Sequence, residues 1–254
     1  MYKTIFFLVL TIFIFFSSDI TTYANDDATA RLEIAIINDD YPMAQKAFKD
    51  GANLNDARFH DGNNPLSLAI NRNSIAMVNL LLQKGANVNS YSSSGHYLDT
   101  PLLQAIKQQN LPIVTLLLNA KADVNMPSIL SPQPSYTGSR ATAKHNGISP
   151  LMASVMAKPQ SAYASSKYAI FELLLAKGAD INYATSEGFS ILMATTIGEN
   201  SLYQQQIALT MAKTLLKKGV DPTFRDNTGK TALDYAKIAQ FTKMIELLTS
   251  VTEK

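Results

Sequence analysis

One phrase written five times constrains this chain more than any single residue does. LLLAKGADIN from Leu173 returns as LLLQKGANVN from Leu80, LLLNAKADVN from Leu116, AFKDGANLN from Ala47 and LLKKGVDPT from Leu215. A second phrase alternates with the first: NPLSLAI from Asn64, TPLLQAI from Thr100, SPLMASV from Ser149, SILMATT from Ser190 and TALDYAK from Thr231. Pro65 to Gly85, Pro101 to Lys121 and Arg31 to Gly51 each span 20 residues, so the phrases keep a fixed phase and ARLEIAI from Ala30 opens a divergent first copy. Self-similarity at such a period means supersecondary units that cannot bury their apolar faces alone and must stack.

The physics of one unit follows from its residues. Thr100 or Ser149 can cap a helix whose first position is the following proline, where a missing N–H costs nothing. Leu66, Leu68, Ala69 and Ile70 then form an apolar stripe with a small residue where neighbouring helices approach, and Met77, Val78, Leu81 and Leu82 do the same for a second helix. Gly51, Gly85, Gly178 and Gly219 end the second helices at a left-handed position that penalises a side chain. Lys121 stands in that place in the third copy. Asn55, Asn89, Asn125 and Asn182 repeat in phase and read as scaffold.

This wording and phase resemble the ankyrin repeat, a turn–helix–helix unit that opens T-P-L-H-x-A. The resemblance covers residues 28–254 and implies an all-α ankyrin-repeat solenoid of about six helix-turn-helix units with finger loops. The expected units are 28–61, 62–97, 98–146, 147–187, 188–228 and 229–254, within a repeat domain over 25–254. The histidine after Pro-Leu is absent; Ser67, Leu103, Met152, Met193 and Asp234 occupy its place.

Equivalent positions 31, 65, 101, 150, 191 and 232 lie 34, 36, 49, 41 and 41 residues apart. The longest interval places an insertion rich in Pro, Ser, Thr and Gly in the third finger, where long loops serve binding or are tolerated cheaply. The two intervals of 41 place eight extra residues between the helices of units four and five, so KPQSAYASSK and ENSLYQQQ are expected to lengthen adjacent second helices.

Residues 1–24 stand apart. Lys3, an apolar run of 12 residues from Ile5 to Phe16 and the polar end Thr22-Tyr23-Ala24 match a secretory signal peptide, and the run is too short to span a membrane. Periplasmic or secreted localisation follows as an expectation, with membrane contact only through this segment before cleavage. The absence of cysteine excludes disulfides, thiolate metal sites and cysteine nucleophiles. A net charge of +2 is far from the dense basic surface that nucleic acid demands.

Chemical motifs fail in context. TGKT at Thr228 to Thr231 lacks the first glycine of a phosphate loop, since Phe224 stands there, and the Tyr163/Lys167 pair lacks the strand-turn-helix of a dehydrogenase. No catalytic residue and no cofactor is expected. His60, His96 and His145 each fall five residues before Pro65, Pro101 and Pro150, forming one row on three fingers. Units stand about 8–10 Å apart, too far for one zinc ion unless a finger folds back, so exposed contacts are favoured over a metal.

Arg58, Phe59, Tyr91, Tyr97, Tyr136, Arg140, Lys144, Tyr183 and Arg225 cluster with those histidines on the fingers, and Tyr and Arg are residues that anchor protein interfaces. Phe189 and Phe224 can pack under their own turns instead. Arg72, Gln104, Lys107 and Gln108, with Asn71, are expected along the concave face of the first helices. The ankyrin resemblance implies a non-catalytic protein-protein interaction module, monomeric when free. Export adds the expectation of an inhibitor or immunity protein binding a secreted toxin or enzyme. Two alternatives stay open: a scaffold for another exported enzyme, and a metal-dependent protein using the finger histidines.

Overall fold

The computed structural model describes residues 27–59, 62–94, 97–130, 147–157, 166–197 and 201–253, in two compact units, 1–87 and 88–254. The first unit holds α1 (27–37), α2 (Tyr41–Lys49), α3 (Pro65–Asn71) and α4 (Ile75–Gln83). The second holds α5 (Pro101–Lys107), α6 (Leu111–Asn119), α7 (Pro150–Met156), α8 (Ser166–Ala176), α9 (Ile191–Ala194), α10 (Leu202–Lys217), α11 (Ala232–Ile238) and α12 (Thr242–Thr252). This is the helix-turn-helix repetition that the two recurring phrases demand.

Each phrase does its expected local work. The side chains of Asn64, Thr100, Ser149, Ser190 and Thr231 accept the N–H of the residue three further on, satisfying a donor that the helix leaves free. Asp40, Ser74 and Asn110 cap the second helices likewise. Asp39, Asn73, Gln109 and Gln240 all adopt positive φ at one register between the paired helices. Units four and five have their insertions in that interval.

Inside the second unit, first helices stack α5–α7–α9–α11 and second helices stack α6–α8–α10. Ala105, Ser154, Thr195 and Ala236 occupy one register and are buried, because neighbouring first helices approach too closely there for anything larger. Ser154 and Thr195 donate their hydroxyl hydrogens to Leu151 and Leu192 carbonyls of their own helices, so these polar substitutes leave no unmet donor. Among the described residues Phe171 is the largest fully buried side chain, and it stacks on Tyr168 at a centroid distance of 6.1 Å.

Asparagines join successive turns. Asn55 accepts from the Asn87 amide and donates to the Gly85 carbonyl within the first unit. Asn125 does the same for Asp180 and Gly178 in the second, and Asn89 accepts from the Asp123 amide.

The lengthened second helices are partly as expected. α10 runs 16 residues against nine in α6, beginning inside ENSLYQQQ at Leu202. α8 begins only at Ser166, at the end of KPQSAYASSK, and is 11 residues long; positions 158–165 lie outside the described residues.

Lys121 has φ 65°, in the place where Gly85, Gly178 and Gly219 have φ of 88°, 86° and 92°. Its amide donates to Leu118 and the next amide to Leu117, closing the same helix end that the glycines close. A side chain in this conformation costs about 1 kcal/mol. Lys121→Gly is therefore expected to raise the melting temperature by roughly 2–4 °C in a thermal melt. An unchanged or lower melting temperature would show that the turn carries no such strain.

Candidate functional site

The fingers of the second unit form a small sheet that the helical repetition does not require. β1 (Ser92–Ser94) pairs antiparallel with β2 (Tyr97–Asp99), and β2 pairs with β3 (Ile129–Leu130). Below β3 the chain is fastened four times. The Ser128 amide donates to the Ile148 carbonyl and the Ile148 amide to Ser128 Oγ, both at 3.0 Å. The Tyr91 hydroxyl donates to the Pro127 carbonyl at 2.9 Å, and that of Tyr183 to the Gly147 carbonyl at 2.6 Å. Burial, then the Asp123 charge, raises the Tyr91 phenol above its usual range; burial, then Tyr91 and Glu187, raises that of Tyr183. Both hydroxyls thus keep the protons that clamp the root of the long finger.

At the last finger Asp226 accepts from the Tyr235 hydroxyl and from the Thr228 and Lys230 amides. The Tyr235 bond, first among these, holds its carboxyl far below the ordinary carboxylate range. This is turn architecture: the TGKT segment spends its donors on its own aspartate. Phe189 meets Tyr235 edge-on at 5.4 Å, under the turn, whereas Phe224 stands exposed.

The expected contact residues divide on these facts. Phe59 is a correction: it is only 7% exposed, so it packs beneath its finger and offers no surface to a partner. Gln104 is a second correction at 5% exposed, with its Oε1 buried and unpartnered, because its register faces into the unit and not along the open face. Tyr91 and Tyr183 are half-buried and engaged at the finger root. Arg58 and Arg225 are exposed but each guanidinium also braces its own turn, on the Ala57 and Gly229 carbonyls. Arg72 is exposed as the C-cap of α3, and Gln108, partly exposed, is the C-cap of α5. Lys107 Nζ sits 2.6 Å from Asp99 Oδ2, a fully buried carboxylate. His60, His96, Tyr136, Arg140, Lys144 and His145 lie outside the described residues, as does the side chain of Tyr97.

A row that the repeat phrases do not reveal lies six residues after the proline register, at the last position of α5, α7 and α11 and three residues beyond the end of the short α9. In the second unit it reads Lys107, Met156, Ile197, Ile238. The last three are 42%, 49% and 65% exposed, on consecutive stacked units. Asn71 holds this register in the first unit, its amide reaching Asn63, and Asp99 and Lys107 pair across the same two positions. In units four and five Ile148 and Phe189 replace the polar member and Met156 and Ile197 its partner. The polar pair of the early units has become apolar, with its second member, Met156 or Ile197, open to solvent. Aligning the six copies column by column would have found it.

Stacked helix pairs with short hairpin fingers and an open apolar row define a helical repeat protein of the interaction class. Residues 32–128 match the family model for ankyrin repeats (3 copies), and the fold is that of ankyrin repeat proteins. Such repeats are protein–protein interaction modules, and the fold is generally non-catalytic. An ankyrin repeat domain from Acinetobacter baumannii AYE is similar over 86% of this chain and 96% of that one, with a TM-score of 0.65 and 24% identity. EF0377, an ankyrin repeat protein, is similar over 87% and 97% respectively, with a TM-score of 0.63 and 22% identity. So is a chain from the complex of the predatory endopeptidase Bd0816 of Bdellovibrio bacteriovorus with the immunity protein Bd3460. That likeness covers 87% of this chain and 97% of that one, with a TM-score of 0.60 and 23% identity. No curated protein matches the sequence.

Proposed function

We infer that this chain is a non-catalytic binding protein, exported through residues 1–24, that grips an exported enzyme or toxin as its inhibitor or immunity protein. The observation that carries the reading is the row Met156, Ile197 and Ile238, left open on consecutive units. Large apolar side chains in one register are costly to leave wet, and a contiguous apolar patch with a polar rim suits a protein interface. The Bdellovibrio complex supports the sharper version, since a similar fold occurs there beside an endopeptidase and an immunity protein. The signal-peptide layout supports the compartment.

The test is retention of a partner from periplasmic extract by the tagged mature chain, with Ile197→Asp/Ile238→Asp as the comparison. Charging the centre of an interface costs ~2 kcal/mol or more, so the double variant is expected to retain about thirtyfold less partner while melting at the same temperature. The retained enzyme or toxin should lose activity when a stoichiometric amount of the chain is added. Equal retention by the double variant would remove the row from the interface. A partner whose activity is unchanged or raised would make the chain a scaffold.

A further inference from the structure

Asn55, Asn89 and Asn125 each accept an amide from the next unit's turn, at Asn87, Asp123 and Asp180. Among the described residues Asn182, the next of the series, breaks the ladder: its side chain bonds neither the Asp221 amide nor the Gly219 carbonyl. The break falls where Val220 replaces the alanine of the other turns, Ala52, Ala86, Ala122 and Ala179. There the turns of units four and five leave a recess of about 100 Å³, lined by Ile181, Asn182, Ser190, Val220, Asp221 and Phe224. We propose that this recess receives one arginine side chain of the bound protein, its stem on Ile181 and Val220, its guanidinium against the Phe224 ring and its charge on Asp221. The proposal rests on the protein-binding reading above. It adds a contact at the other end of α9 from the apolar row, since Ser190 caps that helix and Ile197 follows it.

Walls and charge call for the same ligand. Ile181 is half-buried and Val220 buried, whereas Phe224 is 42% exposed, so an apolar stem finds cover and the ring stays accessible. Asp221 Oδ1 accepts from the amide and the hydroxyl of Thr223, at 2.8 and 2.7 Å. The hydroxyl, then the amide, hold the carboxyl below its ordinary range, so Asp221 is ionised at neutral pH. Among the described residues its other oxygen takes no donor, and no basic side chain pairs with it. Arg225 turns its guanidinium to the Gly229 carbonyl instead. The side-chain oxygen of Asn182 is a second free acceptor in the lining. Two acceptors beside an aromatic ring suit a guanidinium, a planar fork that donates in several directions and stacks on rings, better than the point charge of an ammonium.

Size agrees with this ligand. A water needs roughly 10–15 Å³ of such volume, so the recess holds roughly seven to ten groups of that size, enough for a whole arginine side chain. An aliphatic residue would fill the apolar part but strip water from Asp221 and Asn182 without replacing it. An acidic residue would meet the Asp221 charge.

The probes are the peptide acetyl-SGRGS-amide and its citrulline counterpart, which keeps the shape of arginine and removes the charge. Each is titrated into the full mature chain carrying labelled isoleucine and valine methyl groups. The arginine peptide is expected to shift the Ile181 and Val220 methyl signals with a Kd at least about fivefold lower than the citrulline peptide, the margin of an exposed ion pair and a ring contact together. Asp221→Asn, which keeps the oxygen that serves Thr223, should cut that ratio to about twofold, the share of the ring. Equal affinity for both peptides, no binding of either, shifts confined to other methyls, or a ratio unchanged in Asp221→Asn would each overturn the proposal. The wild-type comparison stands alone if Asp221→Asn does not fold. These outcomes leave the protein-binding reading intact, because partner retention and its loss in Ile197→Asp/Ile238→Asp are measured separately.

Discussion

Phe171→Ala should lower the melting temperature by roughly 10 °C. Phe171 is fully buried in α8, stacked on Tyr168, and α8 packs against α6, α7 and α10. Truncating such a side chain removes its transfer free energy and leaves a cavity, together costing about 3–5 kcal/mol, at roughly 2–4 °C per kcal/mol for a chain of this size. The location of the loss is as informative as its amount. Repeat stability is a sum of unit and neighbour terms, so hydrogen exchange should accelerate first in α7, α8 and α10 and last in α12. A shift below about 4 °C, or loss of protection spread evenly over the second unit, would mean that unit four is not a load shared only with its neighbours.

Gly147→Ala is expected to open the root of the long finger. A β-carbon at this buried glycine would overlap the Ser128 carbonyl and hydroxyl, and the atoms in the way are largely backbone, so no rotamer change relieves it. Either the Ser128–Ile148 pairing or the Tyr183 bond to the Gly147 carbonyl must give way. Overpacking of this kind costs about 1–3 kcal/mol, occasionally more. The measurement is amide exchange at Ser128 and Ile148, expected to rise about tenfold or more, in proportion to a loss of ~1.4 kcal/mol. Tyr183→Phe, which removes one clamp without a steric clash, should produce a smaller rise at the same amides. Unchanged exchange in Gly147→Ala would show that the root is not fastened as described.

These two residues illustrate what was legible. Phe171 belongs to the apolar stripe of a second helix, and its burial follows from the repeat phase alone. The left-handed turn at Lys121 was equally readable, because the glycines of the other copies mark the place. Gly147 was not: it precedes Pro150 by three residues and looks like one more small residue in a loop rich in Pro, Ser, Thr and Gly. What makes a side chain impossible there is Ser128, which the intervening insertion separates from it along the chain. Tyr91 and Tyr183 were legible as large side chains on fingers. Their half-burial was not, since each hydroxyl meets a carbonyl 36 residues away.

The same distinction runs through the candidate face. Periodicity decided by itself that the chain is built of helix pairs in a common phase, where their caps and left-handed turns fall, and that the units must share a core. These are local matters, governed by backbone geometry and by spacing within one copy. The tertiary structure decided which positions are covered: Gln104 and Phe59 turned inward, while Met156, Ile197 and Ile238 stayed open. Covering depends on what the neighbouring copy places opposite a residue, and one copy's pattern carries no information about the atoms of the next.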